Sequence, residues 1–201
     1  MTEALSIIAA VFVAVQTGAL IVLHVLPTGY NPFRDAVSDY GVGPYRAWFW
    51  LQAVAGGLSC LALGIALARL HPFTPTQVAV ALIVTAVARF LIPFFATDQG
   101  ESRFQTLPGI IHMVLAVLAF GGLVWAATGL WATLKHYPSW HGAKAFLTIV
   151  PWVMLGSVIA VVLAIRGPRL KPFFGTFERL FYLSSLAWLF VVSIDLARIS
   201  N

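Results

Sequence analysis

The sequence predicts an all-α polytopic membrane protein, a single domain over residues 1–201 built as a bundle of six transmembrane helices. Three observations carry that expectation. Apolar residues make up 60% of the chain and charged residues only 9%, where a soluble domain carries about 25% charged. Six apolar runs recur, each long enough to cross about 30 Å of hydrocarbon as a helix. The breaks between them are rich in proline and glycine, which form turns.

The first run, Ala4–Leu26, follows a leader with no positive charge. It is too long for a signal h-region and is not closed by a small-residue cleavage site, so it is expected to stay as a helix. Pro27 to Pro32 ends it. The second run, Tyr45–Leu70, follows Gly41-Val-Gly-Pro44 and carries Gly56, Cys60, Gly64 and Ala68 every four residues. Such a stripe lets membrane helices approach closely. His71-Pro72 and Thr74-Pro75 make the next turn, leading into Thr76–Thr97, which Pro93 is expected to kink. Gln99-Gly100 and Leu107-Pro108 bound the loop before Gly109–Leu134. Tyr137-Pro138 precedes Ala143–Ile165, in which Pro151 marks another kink. Gly167-Pro168 and Lys171-Pro172 precede Phe177–Ile199. Thr176 is placed to N-cap that last helix, with Glu178 in its first turn. Tyr45, Trp48, Trp50, Trp131, Trp140 and Trp188 resemble, in part, an interfacial aromatic belt.

The net charge of +5 does not indicate nucleic acid, because the basic residues sit mostly at segment ends, where they meet head groups. Six spans place both termini on one side of what is expected to be the plasma membrane, the inner membrane of a bacterium. Arg34, Arg46, Arg103, Arg166, Arg169, Lys171 and Arg179 fall on the face holding loops one, three and five. Arg69, Lys135, Lys144 and Arg198 fall on the other. The count favours a cytoplasmic first face by a small margin. One cysteine, Cys60, allows no intrachain disulfide. Oligomeric state and protein partners are not encoded legibly.

Arg89 is the anomaly. It lies inside the apolar stretch Val78–Ala96, about eight residues from the nearer end, or roughly 12 Å deep at 1.5 Å per residue. A charge there is expensive unless it faces protein or water and finds partners. Snorkelling covers about half the distance, so a buried pair is expected. His24, Asp39, Asp98, His112 and Glu178 lie near the same face. His24 and His112 each sit about one turn from a boundary proline. They either hydrogen-bond a neighbouring helix or loop, or join Asp39, Asp98 or Glu178 around a divalent metal such as zinc. Haem is disfavoured, since two histidines alone say little. Asp98 reads as the C-terminal end of the third helix, where a carboxylate opposes the dipole and needs a partner. Ser38 and Asp39 in the first loop either bond nearby amides or face a pocket. Asp195 and Arg198 are spaced to pair locally. His71, His136 and His141 fall in loops of the opposite face, expected against head groups or water.

Val37-Ser-Asp-Tyr-Gly-Val-Gly-Pro44, followed by Phe49, resembles the bacterial membrane proteins of the domain of unknown function 998 family. It is similar, more distantly, to the Frag/DRAM/Sfk family of six-span proteins. The likeness rests on Ser38, Asp39 and Gly41 in the loop and on His112 in span four. It implies a six-helix bundle with termini on one side and no assigned chemistry. The eukaryotic relatives are linked with lipid and glycolipid-anchor handling and with lysosomal or plasma-membrane regulation.

Three functions compete on these residues. A lipid or amphiphile-binding protein would use Arg89, Ser38, Asp39, Arg103 and Glu178 around a head group. A metal-assisted intramembrane hydrolase or transferase would use His24, His112 and Asp98 as ligands, with Ser38 as helper. A transporter or channel subunit would use the buried charge, but no inverted repeat or charge series supports it. The first is preferred, with membrane lipid as its partner.

Overall fold

The computed structural model describes residues 1–70, 75–100, 105–134 and 143–200. These form six long helices: α1 (Thr2–Val25), α2 (Arg46–Ala68), α3 (Thr76–Leu91), α4 (Leu107–Leu134), α5 (Lys144–Arg166) and α6 (Phe174–Ile199). All six spans are long and apolar enough to cross a membrane, α3 with the short turn that follows it and α6 with the one before it. Each helix packs on its chain neighbours and α6 closes back on α1, so the bundle is a ring. Among neighbouring pairs, α4 and α5 touch least.

The helices turn a small or polar stripe inward and a large apolar one outward. In α1, Ser6, Ala9, Ala10, Val13, Gln16, Leu20 and Leu23 are buried at helical spacing, while Ile7, Ile8, Val11, Ile21 and Val25 are exposed. Exposed Val117, Trp125, Trp152 and Leu183 continue that outer surface. A water-soluble bundle would reverse this arrangement; in lipid, the polar groups must find partners inside. The stripe on α2 works as its spacing predicts at two positions. A Cβ on Gly64 would sit 3.2 Å from Leu82 and 3.3 Å from the carbonyl of Ala79, both on α3, and a Cβ on Gly56 would overlap the Arg89 guanidinium. Ala68 is exposed.

Two expectations about element ends and one about the aromatic belt are corrected. Helix α3 stops at Leu91 and passes through a 3-10 turn, Ile92–Phe94, to an extended Phe95. Pro93 thus terminates the helix where a kink was expected, because it supplies no N–H for the ladder. Helix α6 starts at Phe174, so Thr176 is not its N-cap. Its backbone N–H instead donates to the carbonyl of Phe33 in the first loop at 3.0 Å, which satisfies an orphan donor of the first turn. Trp188 is fully buried in the core and belongs to no interfacial belt. At the far end of α6, Arg198 does meet Asp195, at 3.6 Å.

The loops α1–α2, α3–α4 and α5–α6 converge at one end of the bundle. Tyr30, Gln99 and Lys171, one from each, line a common cleft, and Gln99 donates to the Tyr30 hydroxyl at 2.6 Å. The first loop turns at Gly29, whose φ of 78° favours glycine. It then enters a 3-10 turn, Val37–Gly41, that carries Ser38 and Asp39 down onto the helices.

Candidate functional site

Stopping α3 at Leu91 moves Arg89 into the last turn of its helix. It is therefore shallower along the chain than eight residues from an end, and it lies where the helix dipole favours a cation. The residue is 3% exposed. Its Nε donates to the carbonyl of Ala53 at 3.4 Å, and Nη2 donates to the carbonyl and side-chain oxygen of Gln52 at 3.4 and 3.2 Å. Its Cζ lies 5.9 Å from the centre of the Tyr182 ring. Gly56, one turn along α2 from Gln52, leaves the space the guanidinium occupies. The expected carboxylate pair is not what holds Arg89. Among the described residues no carboxylate stands within ion-pair distance of it, and no hydrogen bond engages its Nη1.

Arg89 lines a cavity of about 180 Å³. Its inner wall holds Gln52, Ser38, His112, Glu178 and Tyr182; its outer walls are Met113, Ala116 and Val117 of α4 and Val158, Val161 and Val162 of α5. Val117, Gly121 and Val162 are exposed on the bundle's lipid-facing side, and the space a Gly121 side chain would fill is open. The recess therefore runs from the α4–α5 seam inward to a cation. Ser38 and His112 also line a second cavity of about 240 Å³, against Phe94, Phe95 and Arg46.

The loop that supplies Ser38 is held from α6. Glu178, 5% exposed, accepts from the Val37 N–H at 2.7 Å. Arg179 donates to the Asp35 carbonyl at 2.8 Å, the Tyr40 hydroxyl at 3.2 Å and the Gly175 carbonyl at 3.1 Å. Asp39 accepts from the Ala36 N–H at 2.8 Å, which closes the 3-10 turn. Arg34 pairs with Asp35 at 2.9 Å.

The proposed metal ligands are engaged separately. His24 is fixed at both ring nitrogens: Nδ1 donates to the Leu20 carbonyl at 2.7 Å, and Nε2 accepts from Arg179 Nε at 2.7 Å. His112 Nδ1 donates to the Phe95 carbonyl at 2.8 Å. Asp98 is not at a helix C-terminus at all. With α3 ended early, it sits at the start of α4, accepting from the Thr106 hydroxyl at 2.6 Å and from the backbone N–H groups of Thr106 and Gln105 at 3.0 and 2.8 Å. That placement suits the dipole. The Thr106 hydroxyl first, then the two N–H groups, hold its carboxyl below the usual carboxylate range. Among the described residues, no three His, Cys, Asp or Glu side chains are grouped to hold a metal. Of the residues singled out in the sequence, Arg89, Ser38, His112 and Glu178 meet in one recess; His24, Asp39 and Asp98 do not line it. Arg103, His71, His136 and His141 lie outside the described residues.

Sequence reasoning missed Gln52, Tyr182 and Arg179. A glutamine one turn before Gly56 on the packing stripe was the available signal for Gln52; nothing local marks the other two. The family model described as "Protein of unknown function (DUF998)" matches residues 6–195, so the chain belongs to that family. No curated protein and no solved structure matches it.

Proposed function

We propose that this six-helix member of a family of unknown function takes an anionic amphiphile from the surrounding bilayer and holds its head group on Arg89. The membrane is taken to be the plasma membrane, with both termini on one side. The single observation behind this reading is a buried guanidinium, with no carboxylate in ion-pair range among the described residues, lining a cavity whose mouth is apolar and lipid-facing. A desolvated cation is costly without a counter-charge. A phosphate or carboxylate head group supplies one and takes the Nη1 donors. The tail then lies against Met113, Val117 and Val158 in a seam where α4 and α5 pack sparsely.

The test is native mass spectrometry of purified protein after exchange with vesicles of anionic and zwitterionic phospholipid. Wild type is expected to retain the anionic lipid. Arg89→Gln should lower its retention by about 10-fold, the equivalent of ~1.4 kcal/mol. Ala116→Trp should lower it as well, by filling the recess without touching the cation. Equal retention in wild type and a folded Ala116→Trp variant overturns the reading.

A further inference from the structure

His112 faces the same recess as Arg89 but offers the opposite hydrogen-bonding character. The carbonyl of Phe95 can only accept, so Nδ1, 2.8 Å away, carries the ring proton. That carbonyl is available because Pro93 ended α3 and left Phe95 extended, outside any helix. In the neutral ring the other nitrogen, Nε2, is then a bare acceptor. The residue is 5% exposed, and among the described residues no hydrogen bond engages Nε2. The Phe49 ring lies nearly parallel to the imidazole, with centroids 6.5 Å apart. The Ser38 hydroxyl, brought down by the 3-10 turn, lines the same recess and has no hydrogen bond among the described residues. A hydroxyl both donates and accepts.

A simple anion satisfies Arg89 and leaves this acceptor empty. We infer that the site selects a phosphodiester head group that also carries a free hydroxyl: the phosphate on Arg89, the head-group O–H donated to His112 Nε2, and the Ser38 hydroxyl donating to the oxygen of that same head-group hydroxyl. The inference rests on the amphiphile reading above and narrows its ligand to polyol phosphodiesters. A methyl-capped phosphodiester has the same charge and no donor, so it isolates the contribution of His112. A choline head also lacks the donor and brings a cation toward Arg89.

The experiment loads the full chain in detergent at about pH 8, above the ordinary imidazole pKa, from vesicles containing equal phosphatidylglycerol and phosphatidylmethanol. Bound lipid is read by native mass spectrometry. Wild type is expected to favour phosphatidylglycerol by about 5- to 10-fold, the size of one good hydrogen bond. His112→Phe should bring the ratio to about one while the total of the two anionic lipids stays near the wild-type level. Ser38→Ala, which removes no hydrogen bond seen among the described residues, should lower the ratio without lowering phosphatidylmethanol. Equal retention of the two lipids by wild type overturns the inference and leaves the amphiphile reading standing. A ratio that survives both substitutions also overturns it. Retention of neither lipid by wild type removes the amphiphile reading and this inference together.

Discussion

Gly56→Ala tests the seat of Arg89 with the smallest change available. An alanine Cβ at this position would overlap the guanidinium nitrogens, closer than real Cβ atoms come to other heavy atoms. Overpacking of a tight interior costs ~1–3 kcal/mol. Moving Arg89 also weakens its bonds to Gln52 and Ala53, which at 3.2–3.4 Å are already long and are worth ~1 kcal/mol each. Against this, alanine gains ~1 kcal/mol over glycine in a helix interior. The clash dominates, and the net expected loss is ~1–2 kcal/mol. In an Arg89→Ala background the clash is gone and only the helix gain remains, so the same substitution should become neutral or stabilising. The coupling in the double-mutant cycle is then ~2–3 kcal/mol, at the upper end for contacting residues. Equilibrium unfolding in mixed detergent micelles, followed by tryptophan fluorescence, measures all four variants. If Gly56→Ala costs the same with and without Arg89, the guanidinium does not occupy that space and the site as described is wrong.

Three other outcomes follow from the loop anchors and from Asp98. Glu178→Ala should cost ~1–3 kcal/mol by leaving the buried Val37 N–H without its acceptor; faster proteolysis within residues 27–44 reports it, and Glu178→Gln should recover part of the protection. Arg179→Lys should also loosen this loop despite the kept charge, since one ammonium cannot reproduce the guanidinium fork toward His24, Asp35 and Tyr40; hydrogen exchange at residues 35–40 measures it. Asp98 has a folded pKa held below its ordinary 3.8 by Thr106 and Gln105. Its stabilisation is therefore complete above the ordinary value and lost as pH falls through the lower folded value. Thr106→Val should bring those two values closer, the two backbone N–H bonds remaining, and make the acid limb of a stability–pH curve shallower; an unchanged limb would show that the hydroxyl bond carries no weight.

The six spans were legible because lipid leaves few alternatives: long apolar runs broken by Pro and Gly can only cross or pack as helices. The stripe Gly56, Gly64 was legible for the same reason, since close approach requires missing side chains. Arg89 stood out by composition alone. Its partners did not, because they are backbone carbonyls and a neutral glutamine on another helix, and charge reasoning searches for carboxylates. The end of α3 was misread at Pro93, which permits either a kink or a stop. That one choice displaced both Arg89 and Asp98 relative to their helix ends: it reversed the dipole sense read for Asp98 and gave Arg89 a favourable helix end where a mid-span position was expected. His24 and His112 looked equivalent by depth, yet they differ in what faces them across the bundle: His24 meets Arg179 and is satisfied at both nitrogens, whereas His112 meets one carbonyl and a cavity. Sequence spacing contains no information about that.

The anchoring of the first loop decides from which side the recess is reached. Opening it from the loop end means breaking the bonds from Glu178 to Val37, from Arg179 to Asp35 and Tyr40, and from Thr176 to Phe33. At ~0.5–1.5 kcal/mol for each neutral bond and ~1.5–3 for those with charged partners, this totals several kcal/mol, before the buried Glu178 is left without Val37. Toward the lipid, the α4–α5 seam lines the cavity with apolar side chains, among them Met113, Val117, Phe120, Val158, Val162 and Ile165. Separating such side chains within lipid exchanges one set of dispersion contacts for another, since acyl chains are as apolar as the residues they replace. A residue whose addition bridges the seam in a covalent way therefore distinguishes the two routes. A cysteine pair at Val117 and Val162, oxidised closed, should stop lipid exchange and recover it on reduction. Cross-linking the first loop to α6 through cysteines at Phe33 and Thr176 should leave exchange unchanged. The reverse pattern would place the entrance at the loop and remove the lateral route.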